Sequence, residues 1–154
     1  MLLNLLIMLF DLLKDIQSNL AGPCYLGQLP SKEGIDAANG IYISLLSVNE
    51  GIQRPVLPVR NEYKNTMHSL DLYIVITAYN SNYEEGLRAL DRVLQYFADN
   101  SRHSLPAQHI NYLIHLANLT LEQNIALRQS VLAPGLPGII YKVSTVKQAE
   151  LTGD

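Results

Sequence analysis

Residues 70–97 read LDLYIVITAYNSNYEEGLRALDRVLQYF, and this stretch decides the fold. Its first ten residues are β-branched, aromatic and leucine-rich on both alternating faces, which predicts a central β-strand covered on both sides. Ser81 and Glu84 then match the S-x-x-E capping box that starts a helix. The apolar residues of that helix recur at helical spacing and predict an inner face made of Leu87, Leu90, Val93, Leu94 and Phe97.

The same patterns extend outward in both directions along the chain. Alternating apolar residues predict further strands at residues 41–48, 108–119 and 138–147, and residues 24–29 are a candidate for a short edge strand. Leucines at steps of three and four predict an amphipathic helix over residues 2–20. A second capping box, Thr120 to Gln123, opens a helix to about residue 133 with Leu121, Ile125 and Leu132 facing inward.

The predicted order is α-β-β-α-β-α-β, with the polar residues 99–104 as a connection. This order favours an α/β class, with α+β as the alternative, built on a single four-stranded mixed sheet with packed helices. The 154 residues suit one domain, spanning residues 1–154.

Composition excludes several classes of function. The formal charge is -3, which argues against a nucleic-acid module and against a basic protein of the membrane surface. Cys24 is the single cysteine, so no intramolecular disulfide forms. Charged residues make up 16% of the chain against about 25% in an average soluble domain, and this shortage indicates apolar surface buried against other subunits.

The first helix carries more apolar residues than one buried face requires. Besides the stripe that contains Leu13 and Ile16, a second stripe of Leu3, Ile7 and Phe10 lies on another face. A helix that is apolar all round is either packed deep in a core or forms an association surface, and the pattern leaves both open. Asp11, Lys14 and Asp15 interrupt the run too early for a membrane span, and no basic residue precedes it as a signal peptide requires.

The connection at residues 49–69 is long and has no clear period. It contains Arg54, Arg60 and Lys64 together with two prolines. Long connections in compact domains are usually functional or disordered, so this one is a candidate for a partner-contacting arm, with a mobile hairpin connection as the alternative.

The sequence offers no catalytic, cofactor or metal motif. His109 and His115 share a predicted strand face but lie roughly 20 Å apart at about 3.3 Å per residue, so they cannot bind one ion. Glu84 and Glu85 are accounted for by the helix dipole. The residues therefore favour a binding or assembly module over an enzyme.

The chain also resembles a known protein family. The strand 70–79 running into Asn-Ser-Asn-Tyr-Glu-Glu-Gly-Leu-Arg at residues 80–88, with Phe97 closing the helix, is similar to the cap proteins of extracellular contractile injection systems, of the Photorhabdus virulence cassette and antifeeding prophage type. Further similarities are the helix at residues 2–20, Val-Asn-Glu at residues 48–50 before the arginine-bearing loop, and LPGIIYKV at residues 136–143.

The resemblance implies a non-enzymatic protein without cofactors. It would form a hexameric ring that caps the inner tube, stops its growth and anchors the end of the sheath. Such a protein assembles in the bacterial cytoplasm and then belongs to a released extracellular particle. The interface candidates are Leu3, Ile7, Phe10, Arg54, Arg60 and Lys64. Two alternatives stay open: a tail terminator or completion protein of a contractile-tailed bacteriophage, and a small hydrolase or transferase that uses His115 or Glu85.

Overall fold

A computed structural model describes residues 2–27, 38–50, 70–131 and 137–147, without the side chains of residues 2–7, 50, 107, 127–131 and 147. These ranges contain three helices and six strands. In chain order they are α1 (Leu2–Asn19), β1 (Cys24–Leu26), β2 (Gly40–Glu50), β3 (Leu70–Tyr79), α2 (Tyr83–Asp99), β4 (Arg102–Leu105), β5 (Ile110–Leu116), α3 (Leu121–Val131) and β6 (Gly138–Lys147), with a 3₁₀ turn at Pro106–Gln108. None of the described helices is long and apolar enough to cross a membrane.

The strands form one mixed sheet in the order β1-β2-β3-β6-β5-β4. β1 runs parallel to β2, and every other neighbouring pair is antiparallel. The mixed α/β class is confirmed, but the predicted count of four strands is wrong because β1 and β4 add an edge on each side. β1 begins at Cys24 as expected and is shorter than residues 24–29.

β4 was not predicted from the sequence pattern. Its four residues alternate a half-buried with an exposed side chain, and the strand lies partly within the polar stretch predicted as a connection. The pairing of Arg102 to Leu105 with Leu113 to Ile110 of β5 makes this segment a strand. The element order α-β-β-α-β-α-β therefore becomes α-β-β-β-α-β-β-α-β.

The two strands with the strongest β-branched and aromatic alternation are predicted correctly at both ends. β3 covers residues 70–79 and β6 covers residues 138–147. They pair with each other at the middle of the sheet, where Ile74 lies opposite Tyr141 and Leu72 opposite Val143. β5 begins two residues later than the predicted 108–119, because His109 adopts a left-handed conformation that ends the 3₁₀ turn, and β5 ends earlier than predicted, at Leu116.

The core lies between one face of the sheet and the two helices α1 and α2. Leu12 and Ile16 of α1 and Leu90, Val93 and Phe97 of α2 are buried against this face. The sheet contributes apolar residues from four strands, which are Ile41, Ile43, Leu72, Ile74, Ile76, Ala78, Tyr112, Ile114, Tyr141 and Val143. Leu87 was predicted to face inward on α2, but its side chain is 41% exposed.

The start of α2 also differs from its prediction. Asn82, rather than Ser81, is the N-cap, and its side-chain oxygen accepts hydrogen bonds from the backbone N–H groups of Glu84 and Glu85. The backbone N–H of Ser81 instead donates to Asn39 Oδ1, just before β2. Serine and asparagine are both good N-caps, so the spacing alone did not separate these neighbours.

Candidate assembly surfaces

Helix α1 is fixed to the sheet by apolar packing and by two carboxylates. Leu12 and Ile16 are 1% and 0% exposed, with Leu20 just beyond the helix also buried. Asp11 Oδ2 accepts a hydrogen bond of 2.8 Å from Gln108 Nε2, and Asp15 Oδ2 accepts one from the Tyr112 hydroxyl. The described second half of α1 is therefore held against the core face of the sheet, with both carboxylates bound at or next to β5, and it has a defined outer side.

Phe10 lies on that outer side. Its ring is 52% exposed, and the Lys14 ammonium lies 4.6 Å from the ring centroid. A cation over an aromatic face gives a modest attraction at an exposed site. We call Phe10 and Lys14 the α1 patch, an aromatic surface with a positive charge.

The other interface candidates lie outside what the structure describes. Leu3 and Ile7 belong to the backbone of α1, but their side chains are not among the described ones. Arg54, Arg60 and Lys64 fall between β2 and β3, outside the described residues. Phe10 is exposed as an interface residue must be, and the interface role of all six residues stays a prediction.

Helix α3 presents a second apolar surface, made of side chains that were predicted to face the core. The capping box is confirmed, because the Thr120 N–H donates to Gln123 Oε1 and the Gln123 N–H donates to Thr120 Oγ1. The inward face is wrong for both residues that can be checked: Leu121 is 76% and Ile125 is 47% exposed. Leu132 lies outside the described residues.

We call Leu121, Glu122 and Ile125 the α3 patch. Residues one turn apart on a helix lie on one side, so the two apolar side chains adjoin, and the exposed Glu122 follows directly after Leu121. Leu116, which ends β5 just before this helix, is also exposed, at 54%. The apolar spacing of α3 was readable in the sequence, but nothing in it indicated that this face would stay uncovered by the described residues.

The face of the sheet away from α1 and α2 carries both buried apolar side chains and exposed or charged polar ones. Val75 and Ile140 are buried there, while His115 of β5 is exposed and lies opposite Lys142 in the pairing register. Lys142 Nζ lies 3.6 Å from the Asp71 carboxylate. Glu85 belongs to α2, which covers the opposite face, so the structure does not bring Glu85 and His115 together.

His103 and Cys24 have structural surroundings, whereas His68 lies outside the described residues. The His103 ring stacks on Tyr112 with centroids 4.9 Å apart, and its Nε2 donates to the Asn100 carbonyl oxygen at 2.7 Å. Burial raises the pKa of Cys24 to about 11, so its thiol stays protonated at neutral pH. Within the described ranges, no group of three or more His, Cys, Asp or Glu side chains could hold a metal ion.

Two core tyrosines differ in the hydrogen bonding of their hydroxyl groups. Tyr112 donates to Asp15, and burial together with this carboxylate raises its pKa. Tyr141 is equally buried, but its hydroxyl finds no hydrogen-bond partner in the described part of the chain, and burial raises its pKa to about 12. Both side chains stay neutral and pack as part of the core.

The described surface thus offers exposed apolar side chains on all three helices, and the candidate catalytic side chains are dispersed. The exposed apolar residues of the helices include Phe10 on α1, Tyr83 and Leu87 on α2, and Leu121 and Ile125 on α3. Large exposed apolar side chains in clusters are typical of proteins that associate. This combination defines an interaction or assembly module.

The chain belongs to the Pvc16 N-terminal domain family, whose sequence profile matches residues 28–149. This membership confirms the resemblance to the cap proteins of extracellular contractile injection systems. A search among curated proteins finds no sequence match.

Two solved structures share the fold. One is the sheath/tube terminator of the extracellular contractile injection system PVC in its extended state, with a TM-score of 0.64 and 13% identity over 93% of this chain and 56% of that one. The other is the tube-terminating cap of the anti-feeding prophage, with a TM-score of 0.60 and 11% identity over 93% of this chain and 55% of that one. The chain therefore spans just over half the length of these terminators.

Proposed function

We propose that this chain is a cap subunit that terminates the inner tube of a phage-tail-like contractile injection particle and anchors the end of the sheath. The observation that carries the proposal is the shared fold with two tube terminators across 93% of the chain, together with membership of the Pvc16 N-terminal domain family. The role is structural and needs neither catalysis nor a cofactor.

In this proposal several copies form a ring, a hexamer by the family resemblance, that binds the last layer of tube protein. A cap works by surface complementarity, because it must occupy the site where the next tube layer would add. The exposed apolar side chains of Phe10, Leu121 and Ile125 support such a role, since subunit interfaces of obligate assemblies are more apolar than ordinary protein surface.

The unit that carries this function is the whole chain, residues 1–154, acting as one cap domain. The particle would assemble in the bacterial cytoplasm and be released, in keeping with the extracellular particles named for the two structural neighbours. Termination of a bacteriophage tail is nearly the same task in another particle, and the family match favours the injection system.

A tube-growth assay tests the proposal. Inner tube protein from a contractile injection particle is allowed to polymerise with substoichiometric amounts of this chain, and tube lengths and ends are measured by negative-stain electron microscopy. We expect shorter tubes with added density at one end, and we expect the chain to sediment with the tubes.

The Ile74→Asp chain is the matched control, because a charge at this fully buried position should prevent folding and leave tube growth unaffected. If the wild-type chain stays in the supernatant and tube lengths do not change, the proposed function is wrong.

A further inference from the structure

We propose that Asn39 is a site of spontaneous chemical modification, at which the side-chain amide is lost through a cyclic imide formed with the backbone nitrogen of Gly40. The chain contains a single Asn-Gly dipeptide, at residues 39 and 40, and each of its other asparagines is followed by a residue with a side chain. Glycine has no Cβ, so it leaves the attacking nitrogen uncrowded and the backbone free to turn. The inference does not depend on the proposed function.

The reaction consumes only water. The backbone nitrogen of Gly40 loses its proton and attacks Cγ of Asn39. The new N–Cγ bond closes the imide ring, while the Cγ–Nδ2 bond breaks and ammonia leaves with the proton. Water then opens the ring at one of its two carbonyl carbons. One opening gives aspartate, and the other gives isoaspartate, whose main chain is longer by one carbon. Both products carry a negative charge in place of a neutral amide.

The fold itself requires both residues of this dipeptide. A Cβ at residue 40 would lie 2.7 Å from the carbonyl oxygen of Pro23, which accepts the backbone hydrogen bond of Ile41 beside it. Residue 40 must therefore be glycine for β1 and β2 to lie this close. Asn39 Oδ1 accepts a hydrogen bond of 3.1 Å from the backbone N–H of Ser81, so the asparagine ties the start of β2 to the turn before α2. The labile pair thus arises from two structural needs.

The site lies at the end of a strand and is open to water. Asn39 is exposed. Besides the hydrogen bond to the turn before α2, two contacts restrain the segment: the Tyr42 hydroxyl donates to the Ala38 carbonyl oxygen at 2.7 Å, and Gly40 pairs with Tyr79 of β3. Ring closure must release the Asn39 side chain and turn the backbone at Gly40. Strand ends open far more often than a whole domain unfolds, so we expect the reaction to proceed through local opening.

The two products differ in their effect on the structure. In the aspartate product a carboxylate oxygen can still accept the hydrogen bond from Ser81, and its charge lies just before the first turn of α2, where the helix dipole favours an anion. In the isoaspartate product the extra carbon moves Ala38 away from Gly40, so the hydrogen bond from Tyr42 and the register of β2 cannot both be kept. The Asn39→Asp variant should therefore unfold at the wild-type temperature, and isoaspartate-bearing chains at a lower one.

Peptide mapping of the full-length chain tests the proposal. Native protein is incubated at pH 8, and samples taken over time are digested with trypsin in mildly acidic buffer, which prevents further reaction. Cleavage after Lys32 and Arg54 gives a peptide that contains Asn39. Fragment mass spectrometry assigns the gain of about 1 Da to one asparagine, and chromatography separates the aspartate from the isoaspartate form.

Two tyrosine variants show how the reaction is reached. Tyr42→Phe keeps the ring and removes the hydrogen bond to Ala38, so it should accelerate the loss of the Asn39 amide about fivefold. Tyr112→Phe is the matched control, because it removes a hydroxyl hydrogen bond to Asp15 and weakens the whole domain without touching the start of β2. It should leave the rate at Asn39 unchanged. In the wild-type chain, Asn39 should react faster than any other asparagine.

Three results would overturn the proposal. If Asn39 stays unchanged in the native chain and reacts only in urea, the fold protects the dipeptide. If both tyrosine variants accelerate the reaction equally, it follows unfolding of the whole domain rather than opening of the strand end. If another asparagine reacts faster, the site is assigned wrongly. Tube capping is measured on freshly prepared chain, so none of these results bears on the proposed function.

Discussion

Replacing Tyr141 by phenylalanine should stabilise the protein, although tyrosine and phenylalanine differ by one atom. The hydroxyl is buried in a side chain only 2% exposed and has no hydrogen-bond partner in the described part of the chain. An unsatisfied buried polar group costs about 1–3 kcal/mol, and removing one oxygen leaves little empty space. We therefore expect the free energy of unfolding at pH 8 to rise by about 1–2 kcal/mol.

The pH dependence of the free energy of unfolding gives a second, independent test. Burial raises the pKa of Tyr141 from 10.0 in the unfolded chain to about 12 in the folded one. The stabilisation from keeping this group neutral is complete below pH 10 and is lost as the pH rises from 10 towards 12, because the unfolded chain then releases the proton first. The advantage of the Phe variant should therefore grow by about 1 kcal/mol between pH 8 and pH 11.

Urea unfolding at the two pH values, followed by circular dichroism, measures both effects. Tyr112→Phe is the matched control, since its hydroxyl donates to the Asp15 carboxylate and its loss should cost about 1–2 kcal/mol. If Tyr141→Phe is less stable than the wild type, the Tyr141 hydroxyl is satisfied and the reasoning is wrong. If the advantage of Tyr141→Phe does not grow with pH, burial does not raise the pKa of Tyr141.

Three further outcomes follow from the described contacts. Asn82→Ala should lower the free energy of unfolding by about 1 kcal/mol while Ser81→Ala changes it little, which urea titration of both variants checks; the reverse ranking would restore Ser81 as the cap. Ile74→Asp should leave no folded protein by circular dichroism, and a cooperative thermal transition would contradict its central place in the core. Cys24 should react with a thiol reagent at pH 8 much faster in denaturant than in the native state, and equal rates would show that burial does not hold its pKa near 11.

The sheet was predictable where one strand's own side chains decide its structure. β3 and β6 carry unbroken β-branched and aromatic alternation, and both of their bounds follow from it. β4 has no such pattern, because its four residues are held by pairing with β5, a contact that depends on the order of strands rather than on local sequence. The sequence pattern likewise did not predict that β6 lies between β3 and β5 and pairs with both.

The surfaces were predictable only in part, for a related reason. Helical spacing identified apolar stripes on α1 and α3, but spacing does not say which stripe another element will cover. Leu12 belongs to neither predicted apolar stripe of α1, and its side chain is nevertheless buried. Leu121 and Ile125 belong to the stripe of α3 that was predicted to face inward, and their side chains are exposed. Phe10 belongs to the second stripe of α1, for which the pattern left a core position and an association surface open, and its side chain is exposed.

The carboxylate contacts of α1 also bear on how the protein is made. Asp11 and Asp15 each bind a residue 97 positions later in the chain. At a synthesis rate of about 5–20 residues per second, roughly 5–20 s pass between the emergence of the helix and that of its partners. During this interval the leucine-rich helix has no sheet to cover it, so α1 is the segment of a nascent chain that a chaperone would bind. Self-association of incomplete chains would begin at the same helix.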